Sequence, residues 1–310
     1  MSSLLFQPLR FGSRVFGKIS KTLNRLSFGF APKDIQETIV RGSTRYDMVN
    51  APDEPYYAEQ YWRVISPLLV EMPEEPQCLD LGCSQGRFSL RLAKRWPQGK
   101  VLACDISDSA IAAARRNADE AGLRNVEFRT ESIGQALLSC GPESQDIVMM
   151  TEVTFFYPKW REQMSEIIRV LRPGALLLMS FRSQYFDALC LVRGRFWHNT
   201  GMLLEERKGY IFDGQVEFSW QTSGEIRSLL TCEHGMELLE LCGIGICSGI
   251  PADPHDHIVR PSQLDSGEQD YLMRIELELG HSVPDAGRYI LAVAQKPKVH
   301  DDEIIIKMEK

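Results

Sequence analysis

The sequence predicts an α/β fold, a doubly wound and mostly parallel seven-stranded sheet, on three observations. From residue 55 onward, short apolar runs alternate with segments of helical period, the pattern of strands covered by helices on both faces. Five such runs fall within residues 77–181, too dense for separate domains. The first lies in "QCLDLGCSQGRFSLRLAKRW", residues 77–96, which stops at Gly82, places a second glycine at Gly86 and turns into a helical pattern. A strand that ends in a glycine turn at a helix N-terminus lets backbone N–H groups approach a ligand closely.

Each element follows in order. "YYAEQYWRVISPLLVEM" has a helical period, "QCLDLG" reads as the first strand, and a helix is expected from about Gly86 to Trp96. "KVLACDIS" is the second strand, followed by the Ala-rich helix "SAIAAARRNADEAG" with Gly122 placed as its C-terminal cap. "VEFRTE" and "QDIVMMTE" are the third and fourth strands, "KWREQMSEIIRVL" a helix and "ALLLMSF" the fifth strand. Beyond Arg182 the period loosens, and residues 183–221 are rich in aromatics and arginine. "TSGEIRSLLTCEHG" reads as a helix, "MELLELCG" as the sixth strand and "RYILAVAQK" as the closing one. Residues 248–287 read as mostly irregular around a helical "SGEQDYLMRIELELG". The segments 183–221 and 248–287 are therefore expected as lid insertions after strands five and six, at the rim where open α/β sheets bind ligands. They fall inside a main domain of residues 34–297, between an N-terminal segment, 1–33, and a charged tail, 298–310.

Composition narrows the function classes. The net charge is −7, yet residues 1–33 hold six Lys and Arg and no acidic residue, leaving 29 basic against 42 acidic side chains elsewhere. An acidic body argues against nucleic acid as a partner. The eight cysteines include no C-x-x-C pair and several sit in apolar runs, which suits buried thiols in a reducing, cytoplasmic setting. No apolar run reaches the roughly 18 residues of a membrane span. In the N-terminal segment, Arg10, Arg14, Lys18, Lys21 and Arg25 share one helical face opposite Leu5, Leu9, Phe16, Ile19, Leu23 and Leu26. That basic amphipathic helix leaves three readings open: packing on the body, peripheral contact of residues 1–30 with an anionic membrane, or a mitochondrial presequence. The "DPHDH" stretch reads as a loop, and no metal site is expected.

The chemistry-bearing residues sit at strand ends. The first strand ends in Asp80-Leu81-Gly82-Cys83-Ser84-Gln85-Gly86, the second in Asp105 and the fourth in Thr151-Glu152, and "LRPGALLLMSF" leads into the fifth. This arrangement, over roughly residues 57–182, resembles the class I S-adenosylmethionine-dependent methyltransferases, whose first motif reads D/E-x-G-x-G-x-G. The resemblance implies a Rossmann-like methyltransferase fold with S-adenosylmethionine as cofactor. It implies that Gly82, Ser84 and Gly86 admit the cofactor's amino-acid part, Asp80 reaches its ammonium, and Asp105 with Ile106 holds the ribose. Ser84 stands where the family has its middle glycine, which suits a serine where φ is not positive. The adenine falls to Ser132 with Ile133 behind it, and Thr151 and Glu152 face the methyl group. Phe155, Phe156 and Tyr157 follow, in a layout similar to nodulation-type N-methyltransferases.

The catalytic candidates are Glu152, Tyr157 and His198, the last placed in the segment after strand five. The expected reaction is methyl transfer to oxygen or nitrogen of a small-molecule acceptor, lipophilic or lipid- or glycan-linked. "TEVTF" stands where base and amide-nitrogen methylating enzymes carry D/N-P-P-Y/F, which counts against RNA or protein as acceptor. A non-catalytic assembly module on the same fold is the alternative from another class.

Overall fold

The computed structural model describes residues 46–298 except 158, 206–207, 212–215 and 252. The amphipathic segment expected over 1–33 and the tail beyond residue 298 lie outside the described residues. A seven-stranded sheet runs in the order β3-β2-β1-β4-β5-β9-β8. Its strands are β1 (Gln77–Leu81), β2 (Lys100–Asp105), β3 (Val126–Thr130), β4 (Gln145–Met150), β5 (Leu171–Arg182), β8 (Glu237–Ile244) and β9 (Tyr289–Gln295). The first five are parallel, and β9 lies antiparallel between β5 and β8. All seven expected strands are present, each within a few residues of its sequence boundary.

Alternation along the central strands divides the core in two. Ile147, Met149, Leu176, Leu178, Leu291 and Val293 face one layer, while Val148, Met150, Leu177, Met179, Ile290 and Ala292 face the other. The first layer is closed by α1 (Glu54–Ile65), α2 (Ser89–Arg95) and α9 (Ser266–Ser282), through Tyr61, Val64, Leu92 and Leu272. The second is closed by α4 (Ile133–Ser139), α5 (Met164–Val170) and α8 (Ser223–Ser228), through Leu137, Ile167 and Ile226. The helix α3 (Asp108–Glu120) lays Ile111, Ala114 and Ala118 against Ala103 and Phe128, and Gly122 follows it at φ +68°, as expected of a C-terminal cap.

The segment 183–221 is more regular than its sequence suggests. It holds α6 (Gln184–Gly194), α7 (Trp197–Glu205) and a hairpin of β6 (Lys208–Ile211) and β7 (Val216–Ser219). Its two ends meet: Ser183 bridges Gln221, and the Gln221 N–H donates to the Arg182 carbonyl at 2.9 Å. An insertion closed at its own stem leaves β5 and β9 undisturbed. The helical part of 248–287 behaves differently, because α9 packs Leu272 and Met273 into the core and its buried Glu276 accepts from Tyr56 at 2.8 Å. Sequence placed all of 248–287 at the rim, but α9 is a core helix of the sheet. Five of the cysteines are buried, whereas Cys232 is exposed.

Candidate active site

The strand order reverses between β1 and β4, and at the carboxyl ends of those two strands lies a cleft of about 60 Å³ lined by Met48, Asp80, Gly82, Ser84, Thr151 and Glu152 among others. The turn after β1 shapes it. Gly82 has φ +78° and Gly86 φ +87°, and a Cβ on Gly82 would overlap Val153 Cγ2. Gly82→Ala is expected to cost about 2 kcal/mol from strain and overlap together. That corresponds to roughly 6 °C in thermal midpoint, read by calorimetry.

Ser84 departs from the expectation for a serine at this position, with φ +47°. The left-handed conformation costs a non-glycine residue about 1 kcal/mol. Part of the compensation is visible, since the Ser84 N–H donates to Asp105 Oδ2 at 2.9 Å while the Ser107 N–H donates to Oδ1 at the same distance. Asp105 thus ties the β1 turn to the start of α3. Asp80 accepts from Ser89 Oγ at 2.5 Å, and burial raises its carboxyl to about 6 despite that bond and the nearby Arg87. Burial likewise pushes Asp105 up, against the three backbone N–H groups around it.

Behind the cleft lies a charged brace that the sequence reading missed. Arg87, 8% exposed, reaches Glu54 Oε2 on α1 at 2.7 Å and Glu152 Oε1 past β4 at 2.6 Å. Its guanidinium stacks over Phe88 with 4.7 Å to the ring centre. Burial alone would lower the Arg87 pKa, but Glu152 and Glu54 outweigh it and hold the group charged. Burial, then the neighbouring Glu152, pushes Glu54 above the usual carboxylate range, with Arg87 and Arg288 opposing. Glu152 sits at φ +57°, a strained non-glycine conformation at a strand exit.

A second cavity, of about 10 Å³, abuts the first and is lined by Glu54, Tyr57, Glu152, Ile244, Arg288 and Tyr289. Glu152 belongs to both walls. The structure therefore brings Asp80, Gly82, Ser84, Thr151 and Glu152 together, with Gly86 in the turn and Asp105 bonded to it.

Among the described side chains, the remaining candidates line neither cavity. Tyr157 packs against the second core layer and lines neither cavity. Ser132 spends its hydroxyl on the capping box of α4, accepting from the Gln135 N–H and donating to Gln135 Oε1. Ile133, one residue into that helix, is buried in the second core layer and is not among the residues lining the cleft. Ile106 is half-buried just past β2. His198 lies on α7, and its side chain is outside the described residues. Among the described residues no three His, Cys, Asp or Glu side chains gather as metal ligands.

The donor set fits the cofactor that the motif implies. Positive-φ glycines leave room for its amino-acid end, Asp80 offers a carboxylate for an ammonium, and Asp105 lies at the second strand's end as in dinucleotide folds. The comparisons agree. A family model described as "Methyltransferase domain" matches residues 78–174. Over 137 residues the chain is 28% identical to a trans-aconitate 2-methyltransferase of Azoarcus sp. (strain BH72), covering 43% of this chain and 51% of that one. Over 233 residues it is 23% identical to a malonyl-[acyl-carrier protein] O-methyltransferase of Bacillus anthracis, covering 73% and 75%. The chain thus spans about half the length of the first of these relatives.

Among solved structures, the N-methyltransferase NodS of Bradyrhizobium japonicum WM9, in complex with S-adenosyl-L-homocysteine, superposes with a TM-score of 0.51 at 15% identity, over 86% of this chain and all of that one. That likeness shows the fold. With the glycine turn, the strand-end carboxylates and the matched domain in agreement, residues 78–174 carry a methyltransferase domain, in a chain with the fold of the class I S-adenosylmethionine-dependent methyltransferases.

Proposed function

We propose that the chain transfers the methyl group of S-adenosylmethionine to oxygen or nitrogen of a small-molecule acceptor. One observation carries this reading: Glu152, at the exit of β4, walls both the cleft between β1 and β4 and the smaller cavity beside it. A donor in the first and an acceptor in the second would meet at that side chain. When bound, the cofactor supplies an electrophilic methyl on a sulfonium. The protein's part is to hold both groups in line and to keep water out.

Asp105 takes the ribose hydroxyls in this reading and Asp80 the ammonium, with Gly82, Ser84, Gly86 and Thr151 shaping the cleft. The Arg87 brace fixes Glu152 in its strained conformation. The insertion over 183–221 rises from the carboxyl end of β5 and serves as the lid. Its exposed Tyr185, Phe196, Trp197 and Leu204 support an acceptor with an apolar part.

Cofactor affinity should depend on pH through Asp80. Its folded pKa, about 6, lies above that of an unfolded aspartate, so the folded chain holds the proton more tightly. Protonation in the window from about 6 down to the ordinary aspartate value therefore favours folding while removing the charge that an ammonium needs. Affinity for S-adenosylmethionine is expected to fall by half near pH 6, and Asp80→Asn to flatten the dependence. Titrations across that range read it. The activity itself is tested by incubating the purified chain with methyl-labelled cofactor and small-molecule extract, where enzyme-dependent label in low-mass products is expected.

A further inference from the structure

One wall of the cleft between β1 and β4 is supplied by neither strand. Its other lining residues come from the end of β1 and the turn into α2, or from the exit of β4, whereas Met48 comes from the segment 46–53 ahead of α1. That segment is a short strap with two different ends. In its middle, Asp47 Oδ1 accepts from the Val49 and Asn50 N–H groups at 2.9 and 2.8 Å, which folds 47–50 into a closed turn. At the far end Asp53, 2% exposed, accepts from Arg260 Nη2 and from the Ser262 N–H, both at 2.8 Å. That end is fixed.

The near end is held by one side chain. The Met48 N–H donates to Gln85 Oε1 at 2.8 Å, and Gln85 Nε2 donates to the Tyr46 carbonyl at 3.0 Å. An N–H can only donate and a carbonyl only accept, so the two bonds fix which way the carboxamide points. Gln85 stands between Ser84 and Gly86, in the turn that shapes the cleft. Its own carbonyl accepts from Asn117 Nδ2 on α3 at 3.0 Å, so α3 steadies its backbone while its side chain grips the strap. The Tyr46 hydroxyl adds a bond to Glu54 Oε1 at 2.9 Å, which ties the strap to the Arg87 brace. Bonds of this kind at a part-buried site have modest net strength, whereas the facing β1 turn is bonded into β2 through Cys104 and Asp105. The strap is the wall that can yield.

We infer, on the reading that the cleft holds S-adenosylmethionine, that Gln85 is a positioning residue: its carboxamide latches residues 46–50 across the cleft, seats Met48 on the bound cofactor and sets how fast the cofactor enters and leaves. Met48 is half-buried, and its flexible thioether adapts to whatever lies beneath it. A glutamate at this position supplies only acceptors when ionised and loses the bond to the Tyr46 carbonyl.

Surface plasmon resonance of the full chain with S-adenosylhomocysteine reads both rates. Association scales with the fraction of chains whose strap is open, and dissociation waits on the same opening. Gln85→Ala is therefore expected to raise the two rates alike, each on the order of tenfold for the loss of two hydrogen bonds, with a far smaller change in affinity. Gln85→Glu should give rates between those of wild type and Gln85→Ala. Faster dissociation with unchanged association means that the strap touches the ligand without gating it, and overturns the inference. So do wild-type rates in Gln85→Ala. A second measurement needs no variant: hydrogen exchange at the Met48 amide is expected to slow when S-adenosylhomocysteine is bound, because the ligand adds a contact that favours the closed strap. Equal exchange with and without the ligand overturns the inference while leaving the cofactor reading intact. A folded wild-type chain that binds no S-adenosylhomocysteine overturns the cofactor reading itself.

Discussion

Arg87→Met is expected to destabilise the fold by about 3–5 kcal/mol, the range for removing one partner of a buried ion pair. The cause is the pair of carboxylates left behind. Glu54 and Glu152, 4% and 11% exposed at their side chains, face each other across the guanidinium that separates them. Without it, two buried like charges cannot both stay ionised, and one must take a proton or move. At roughly 2–4 °C per kcal/mol the thermal midpoint should fall by about 10 °C. Acid should offset part of the loss, because Glu54 already lies above the usual carboxylate range and would rise further in the variant. The added Glu54→Gln substitution is expected to restore most of the stability, since one carboxylate alone no longer meets a like charge. A double-mutant cycle by calorimetry measures the coupling. Additive effects would show that the brace carries no shared energy.

Asp105→Ala is expected to weaken S-adenosylmethionine binding at least 100-fold. Two hydrogen bonds from ribose hydroxyls to a charged acceptor contribute about 1.5–3 kcal/mol each. The same change orphans the Ser84 and Ser107 N–H groups, which Asp105 now accepts. Since Ser84 is held at φ +47°, loss of that bond should loosen the turn as well. Asp105→Asn separates the two effects, because its amide oxygen can keep one backbone bond while the charge is gone. It should be destabilised, since its amide NH2 cannot accept the second N–H, but less than Asp105→Ala, and still bind the cofactor weakly. Binding that survives Asp105→Ala undiminished would place the ribose elsewhere.

The sheet was legible because its strands are nearly continuous apolar runs, as parallel strands buried on both faces must be. Ile147 to Met150 and Leu176 to Met179 are uniformly buried. The glycine turn was legible for a related reason, since Gly82 and Gly86 stand at positive φ, where other residues are strained. The insertion was not, because α6 and α7 reach the core through only a few side chains, such as Leu191 and Leu203, and otherwise mix aromatic with charged residues without a clear period. The helix α4 carried a readable signal, Ser132 followed by Gln135 as a capping box, which the sequence reading left unused beside the adenine role that the resemblance implies for Ser132. The brace lay beyond reach for another reason. Arg87 meets Glu54 and Glu152 only after folding, and Arg288 sits just before β9, where sequence reads only the start of a strand. Side chains that meet through tertiary structure leave no periodic trace in one sequence.

The central claim is that the cleft between β1 and β4 holds S-adenosylmethionine and presents its methyl to a neighbouring acceptor cavity. Isothermal titration of the full chain with S-adenosylmethionine and S-adenosylhomocysteine, beside Asp105→Ala, tests it most directly. The account predicts saturable binding of both ligands at one site per chain, lost in the variant. A folded wild-type chain that takes up neither ligand would contradict it and turn attention to a binding or assembly role for the same fold.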